Sequence, residues 1–100
     1  MPEGLKVRFR HERRLRNVWA GHTYLGTYWD ARRDGLESQD ILPQGGTTTC
    51  RLVSEDGAVV AEGVAVCSRR DNYCKRLGRD VSLGRALNAL KASENARGAA

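Results

Sequence analysis

Apolar and polar residues alternate near the start of the chain. Over residues 5–10, three apolar residues alternate with three basic ones: Leu5, Val7 and Phe9 with Lys6, Arg8 and Arg10. A period of two is typical of a strand with one buried and one solvated face. The pattern therefore predicts a strand over residues 5–10 in which Arg8 and Arg10 point to the same side.

The middle of the chain predicts a hairpin. Residues 47–53 are rich in β-branched residues, and residues 58–67 supply a returning strand. Between them, residues 54–57 form a polar turn that ends in Gly57, which tolerates a positive φ. We expect the two strands to pair in an antiparallel sheet.

The C-terminal third predicts one amphipathic helix over residues 69–91. Ser68 and Asp71 have the spacing of a capping box, in which each side chain bonds a free backbone N–H of the first turn. At 100° per residue, one broad stripe contains Tyr73, Leu77, Val81, Leu83, Gly84, Leu87 and Leu90, together with Asp80, which breaks the pattern. The predicted reason for Gly78 and Gly84 is close packing on the sheet, with close approach of a ligand as the alternative.

The remaining segments are less regular. Residues 11–16 form a polar, Arg-rich link, and residues 18–29 predict one or two strands. Residues 30–44 predict an acidic surface loop that could include one helical turn. The prediction is an α+β fold, a small antiparallel sheet with one C-terminal amphipathic helix packed on one face. Residues 1–92 form a single domain and residues 93–100 a flexible tail.

Composition limits the class of protein. Hydrophobic residues make up 40% of the 100 positions and charged residues 29%, which predicts a folded chain with a modest core. The sequence shows neither a signal peptide nor a membrane span, so we expect no membrane partner. Three cysteines cannot all pair within one chain, which favours reduced thiols and a cytoplasmic location. A homodimer would add burial to so small a domain.

Charge is distributed unevenly around a net +5. Residues 1–16 hold six Lys/Arg and two acids, and residues 67–100 hold eight and three, whereas residues 17–66 hold three and seven. Two basic ends therefore flank an acidic middle. Pairing between these segments is one explanation, and a basic face directed at phosphates or at an acidic protein surface is the other.

The densest basic group lies at the start of the predicted helix. Its members are the candidate anion- or nucleic-acid-binding residues Arg69, Arg70, Lys75, Arg76 and Arg79. Positive charge in a first helical turn is unfavourable unless an anion compensates for it, because the helix dipole is positive there. An anionic partner would supply that compensation, and the alternative is a solvated face with Asp71 as local counter-charge.

A second basic group lies near the N-terminus. Arg8 and Arg10 on the predicted strand are candidate second contacts. The aromatic side chains of Trp19, Tyr24, Tyr28 and Trp29 could offer stacking surfaces for bases beside them, as in proteins that bind single strands. Burial of these rings in the core is the alternative.

Other chemistry finds little support. Cys50, Cys67 and Cys74 do not have zinc-ligand spacing, and two small buried cysteines on the hairpin are a better explanation than a metal site. No nucleophile, base and orienting group are selected by spacing, and no phosphate-binding glycine loop is present. We therefore expect no catalytic residue, no metal and no cofactor, and a non-enzymatic protein.

One segment carries a resemblance. It runs from Asp71 to Leu87 and reads DNYCKRLGRDVSLGRAL. It resembles the C-terminal part of small uncharacterised proteins encoded by bacteriophages and prophages, which share the pattern D-x-[FY]-x-[KR]-x-x-G-R-x-[IV]-[AS]-x-[GA]-R-A-L. The likeness covers about 45 residues if the preceding hairpin is included. It implies a phage-type accessory protein in the host cytoplasm that acts by binding, as an anti-defence protein does.

Three functions follow as hypotheses. The first is a module that binds nucleic acid or another phosphate-bearing partner through the basic face. The second is an inhibitor of a host protein complex, of the anti-CRISPR type, whose acidic residues 30–40 imitate nucleic acid, or a protein that sequesters a nucleotide signal. The third is an enzyme. The positive net charge favours the first, because proteins that imitate DNA with their whole surface are acidic.

Overall fold

The chain is organised around one long strand, β1 (Lys6–Arg16), which pairs along both of its edges. The structure is a computed structural model, and it describes residues 4–17 and 19–98. The other elements are β2 (Thr23–Gly26), α1 (Tyr28–Arg33), a 3-10 turn (Ser38–Asp40), β3 (Thr47–Val53), β4 (Val59–Val66) and α2 (Lys75–Gly98).

The four strands form one antiparallel sheet in the order β2-β1-β3-β4. Helix α2 packs against β4 and β3 on one face of this sheet. The fold is therefore α+β, a small antiparallel sheet with a C-terminal helix on one face, as the pattern of residues predicted. Within the described residues, no helix is long and apolar enough to cross a membrane.

Strand β1 is almost twice as long as predicted, and the polar link expected at residues 11–16 is wrong. Residues 6–12 pair with β3 on one edge, whereas residues 13–16 pair with β2 on the other. The second half lacks the apolar alternation because its inward positions carry His11 and Arg13, which find polar partners in the fold. Hydrogen bonding along the backbone therefore continues where the hydrophobic pattern stops.

The β3–β4 hairpin agrees with its predicted residues to within one position. The backbone N–H of Ser54 donates to Ala58 and that of Gly57 donates to Ser54, which closes the turn. Gly57 has a φ of 89°, a conformation that favours glycine. A register shift between Leu52 and Val53 makes a bulge just before the turn.

Helix α2 begins at Lys75, six residues later than predicted, and the cap at Ser68 is wrong. The hydroxyl of Ser68 accepts only the N–H of Arg70, at 3.3 Å, within a turn. Residues 69–74 stay irregular because the backbone of residues 71–73 is engaged elsewhere: Asp71 accepts from Gly45, and Tyr73 donates to Pro43. At its other end α2 continues to residue 98, through part of the predicted tail; residues 99 and 100 lie outside the described residues.

Small residues form the line along which α2 touches the sheet. Ser82 and Ala86 are fully buried, and a methyl group added to Gly78 would collide with Thr48 of β3. The predicted close packing is thus confirmed at Gly78. It is wrong at Gly84, which has open space around its Cα. The buried line is rotated relative to the predicted stripe, so Asp80 is exposed and breaks nothing.

Helix α1 begins where strands were predicted. Thr27 precedes it as a capping box: its hydroxyl accepts the N–H of Asp30 at 3.2 Å, and the Asp30 carboxylate accepts the N–H of Thr27 at 2.8 Å. The helix buries Ala31 and ends before Gly35, whose φ is 73°. Only residues 23–26 of the predicted aromatic strands form a strand, and Val18 lies outside the described residues.

The hydrophobic core lies between α2 and the inner face of the sheet. Its buried centre is Cys50, Leu52 and Ala86. Partly buried side chains surround it: Val7, Phe9, Ala61, Leu83, Leu87 and Leu90. At the outer edge of the sheet, the guanidinium of Arg85 on α2 donates to the backbone carbonyl of Val64 on β4. The opposite face of the sheet has no helix of comparable length over it among the described residues.

Candidate functional site

The open face of the sheet carries arginines. Val7 and Phe9 of β1 pack towards α2, so the alternating residues Arg8 and Arg10 project from the other face. Arg8 lies opposite Arg51 in the β1–β3 register, which places Arg51 on the same face. The structure therefore adds Arg51 to the two strand arginines that the sequence selected.

A groove of about 640 Å³ lies on this open face, beside the start of α1. Its lining residues include three arginines of the sheet and the two aromatic residues of α1: Arg8, Arg10, Arg51, Tyr28 and Trp29. We call this feature the sheet groove. Its aromatic residues come from the first turn of α1, and the capping box at Thr27 fixes where that turn begins.

Carboxylates partly neutralise the sheet groove. Arg10 lies 3.6 Å from Glu12 and 3.7 Å from Asp30, and Arg51 lies 2.8 Å from Glu62. Hydrogen bonds from the backbone and hydroxyl of the capping threonine hold the pKa of Asp30 below its usual value, so this carboxyl stays ionised. Arg8 has no carboxylate within ion-pair distance among the described residues.

The two aromatic rings of the sheet groove are exposed rather than buried. Trp29 keeps 74% of its surface accessible and Tyr28 keeps 57%. The rings meet edge to face, with centroids 5.7 Å apart. The guanidinium of Arg32 lies 5.9 Å from the centre of the Tyr28 ring. The alternative interpretation, that these residues form the core, is wrong for both of them.

The basic group at residues 69–79 is also exposed. Arg69 and Arg70 lie in the turn before α2, whereas Lys75, Arg76 and Arg79 lie in its first two turns. No ion pair involves any of these five side chains among the residues described. The first turn of α2 holds no acid, so positive charge does stand at a helix N-terminus, but at Lys75 and Arg76 rather than at Arg69 and Arg70.

The sheet separates Arg8 and Arg10 from the members of the other basic group that belong to α2, whereas Arg69 lines a cleft beside Arg14 and Thr47. Lys75 and Arg79 belong to α2, on the covered face and near His11, whereas Arg8 and Arg10 project from the open face. The seven predicted residues therefore do not form one continuous patch. A partner bound along the sheet groove would meet Arg8 and Arg10 without meeting the group on α2.

A polar network on the covered face joins the irregular segment before α2 to the sheet. Nδ1 of His11 lies 2.7 Å from the Tyr73 hydroxyl and 3.0 Å from the Thr48 hydroxyl, and these two hydroxyls are 2.9 Å apart. The guanidinium of Arg13 lies over the Tyr73 ring, 4.6 Å from its centre. Burial raises the pKa of Tyr73. The network buries Thr48 completely, which suits anchoring rather than nucleophilic attack.

The cysteines are dispersed. Cys50 is buried in the core, Cys67 is half-buried and Cys74 is exposed; all three are free thiols. Burial raises the pKa of Cys50, which disfavours the reactive thiolate. Among residues 4–17 and 19–98, no three His, Cys, Asp or Glu side chains come together as metal ligands would.

Most carboxylates of the acidic segment at residues 30–40 bond to other groups of the same chain. Asp30 caps α1 and contacts Arg33 at 3.2 Å. Asp34 accepts the Tyr24 hydroxyl at 2.8 Å, and Asp40 is buried and accepts the N–H of Glu37 at 3.0 Å. Little of this segment is left as a free row of negative charge.

Sequence reasoning missed Arg51 and the helical setting of Trp29. The alternation in β3 could have predicted the position of Arg51, because Arg51 and Thr49 are two residues apart and therefore lie on the same face of the strand. The threonine and acid three residues apart at Thr27 and Asp30 could have predicted the helix at Trp29, since they have the same spacing as the box wrongly placed at residues 68–71.

Comparison with known proteins gives no match: neither a family model, nor a curated protein, nor a solved structure is similar to this chain. The function is therefore argued from the geometry of the two basic surfaces.

Proposed function

We propose that this protein binds nucleic acid, or another phosphate-bearing partner, without catalysing a reaction. The observation that carries the proposal is the sheet groove, in which Arg8, Arg10 and Arg51 line one open channel. A guanidinium offers planar, paired donors that match phosphate oxygens, so a row of arginines suits a phosphate backbone better than it suits an isolated anion.

The carboxylates in the sheet groove do not prevent this binding. Arg10 and Arg51 are about half exposed, and each ion pair they make is at the surface. Such pairs contribute about 0–1 kcal/mol, whereas charge-assisted bonds to phosphate also release condensed counterions. A phosphate chain can therefore recruit these two guanidiniums, with Arg8 as the arginine that needs no exchange of partner.

The basic group on and before α2 serves as a second contact surface in this proposal. Its five cations make no ion pair among the described residues, and all five are exposed. Because Lys75 and Arg79 lie across the sheet from the groove, a long polymer could engage them together with the groove only by passing around the sheet edge. Short ligands would distinguish the surfaces.

The alternative is an anti-defence inhibitor of a host protein complex, which is what the resemblance to small phage and prophage proteins implies. Charge mimicry by residues 30–40 has weak support, because three of the four acids there make internal contacts. Sequestration of a nucleotide also has weak support. The apolar cleft beside the start of α2 measures about 240 Å³, below the roughly 300–1,000 Å³ of ordinary ligand pockets.

A salt series on two matched double variants tests the proposal. Arg8→Gln with Arg10→Gln changes the sheet groove, and Arg76→Gln with Arg79→Gln changes α2 by the same charge. For single strands, each lost phosphate contact should reduce the slope of log K against log salt by about 0.7. We expect the groove variant to lose about 1.4 in slope and the α2 variant to lose less, with unchanged circular dichroism in both.

The same assay identifies the results that would overturn the proposal. The ligands are single strands, duplexes and cyclic nucleotides, and a pull-down from host lysate is analysed for both protein and nucleotide content. Absence of binding to every nucleic acid and nucleotide at low salt contradicts the proposal. Capture of a host protein complex that is lost on Glu37→Gln or on reversal of neighbouring acids would establish the inhibitor instead.

A further inference from the structure

We infer that the sheet groove takes single-stranded nucleic acid and that the indole ring of Trp29 is the platform on which a base stacks. This inference rests on the proposed function, and it names the class of polymer and the residue that reads its unpaired state. The guanidiniums of the groove would hold the phosphates, and the ring would hold a base.

The first observation in favour of the inference is that the large apolar side chain of Trp29 stays exposed to water, which is unfavourable. A tryptophan that packed inward would remove a large apolar area from solvent, yet 74% of its surface stays accessible, and α1 buries Ala31 instead. The capping box at Thr27 and Asp30 fixes the first turn of α1. The ring is therefore held at the wall of the groove by an ordered element rather than by a loop.

The geometry of the neighbouring ring separates the roles of the two aromatics. The Arg32 guanidinium covers Tyr28, at 5.9 Å from the ring centre, and also lies 3.5 Å from its hydroxyl. The Tyr28 and Trp29 rings meet at an interplanar angle of 71°. With Arg32 over Tyr28, and with 74% of Trp29 exposed against 57% of Tyr28, the indole is the more accessible stacking surface of the pair.

The combination of groove and ring favours single strands over duplexes. In a duplex the base faces are stacked on one another, so an exposed indole gains nothing from them. In a single strand every base has a free face, and stacking on an aromatic side chain is favourable for any sequence. Only an unpaired strand can use the arginines of β1 and β3 and the ring of α1 at the same time.

Trp19 provides the matched control. It is 96% exposed, but it lies in the turn after β1 and does not line the sheet groove. Trp29→Ala and Trp19→Ala remove the same side chain at two exposed positions. A Trp19→Phe background leaves Trp29 as the sole tryptophan, so its fluorescence reports directly on stacking.

The experiment compares an oligothymidine, an abasic strand of the same length and a duplex, each with the full-length protein. We expect Trp29→Ala to weaken oligothymidine binding roughly 5- to 150-fold, as loss of one stacked base does. Trp19→Ala should have no effect, and neither variant should alter binding of the abasic strand. Oligothymidine should quench Trp29 fluorescence, and the abasic strand should not.

Two results would overturn the inference while leaving the proposed function intact. One is equal affinity for duplex and single strand together with no effect of Trp29→Ala. The other is binding of single strands that is lost on Arg76→Gln with Arg79→Gln but unchanged in Trp29→Ala. Failure of all three ligands and of the cyclic nucleotides to bind at low salt would instead remove the proposed function itself.

Discussion

The contact between β4 and α2 makes a sharp prediction for Gly63→Ala. A Cβ at Gly63 would collide with the carbonyl oxygen of Ser82 and the amide nitrogen of Ala86, and would lie 2.9 Å from the carbonyl carbon of Arg85. All three atoms belong to the backbone of α2, which cannot move aside by changing a rotamer. Overpacking of this kind costs about 1–3 kcal/mol, and a rigid backbone partner places the effect at about 3 kcal/mol or more.

A matched substitution on the helix should act in the opposite direction. Gly84 has no heavy atom within 4 Å of the position that a Cβ would take. Gly84→Ala should therefore stabilise the protein by about 1 kcal/mol, the difference in helix propensity. With about 4–8 °C per kcal/mol for a domain of this size, the melting temperature should fall by about 12–24 °C in Gly63→Ala and rise by about 4–8 °C in Gly84→Ala.

Thermal and urea denaturation followed by circular dichroism measure both effects. If Gly63→Ala does not fold, the gain in Gly84→Ala still tests the placement of α2, because the opposite rotation of the helix would bury residue 84. A Gly63→Ala variant within about 0.5 kcal/mol of the parent protein would refute the described packing.

Three further predictions concern single groups. Ser68→Ala should change the free energy of unfolding in urea by no more than about 0.5 kcal/mol, because the residue is exposed and caps no helix. A loss of about 1 kcal/mol would instead indicate that the helix begins at residue 69 with Ser68 as its cap. Burial and two nearby cations lower the pKa of His11 below 6.5, so the stability that its neutral form contributes is present above that pH and is lost as the pH falls towards the folded-state pKa. The melting temperature of His11→Gln should therefore depend less on pH between about pH 7 and pH 5 than that of the parent protein. A pH profile identical to that of the parent protein would contradict this. In thiol titration Cys74 should react first and Cys50 only after unfolding, with no zinc by elemental analysis; rapid reaction of Cys50, or one zinc per chain, would contradict the thiol assignment.

The sequence predicted the elements whose signals are local. The β3–β4 hairpin follows from two apolar runs and a turn that ends in Gly57, all within about twenty residues. The fold class follows from that hairpin, from the alternation at residues 5–10 and from the apolar spacing of α2. These signals survive in the structure because tertiary contacts reinforce them.

The start of α2 could not be predicted because distant backbone decides it. A capping box at Ser68 and Asp71 is a sound local signal, but Gly45 and Pro43, some thirty residues earlier, engage the backbone of residues 71–73. The same spacing at Thr27 and Asp30 does form a capping box in the structure, with both of its hydrogen bonds present. Propensity and capping are weak terms that a tertiary hydrogen-bond network outweighs.

The sequence could predict the arginines of the sheet groove but not the position of its aromatic residues. Alternation placed Arg8 and Arg10 on one face, and the same rule applied to β3 would have added Arg51. The approach of α1 to that face depends on the path of the chain after β2, which no periodicity encodes. Stacking beside these arginines was therefore only one hypothesis among several for the aromatic residues.

The hydrogen bond from Arg85 to the carbonyl of Val64 makes protection of the edge strand β4 depend on the packing of α2 against the sheet. β4 is an edge, and its segment VVAEGVAV is β-prone with a single charge, which is the composition of segments that add further strands and aggregate. While α2 is docked, an incoming strand must displace a guanidinium to pair at the middle of this edge. Detachment of the helix therefore exposes the core and the unpaired edge of β4 at the same time. Partial unfolding of this protein would then lead to self-association through that edge.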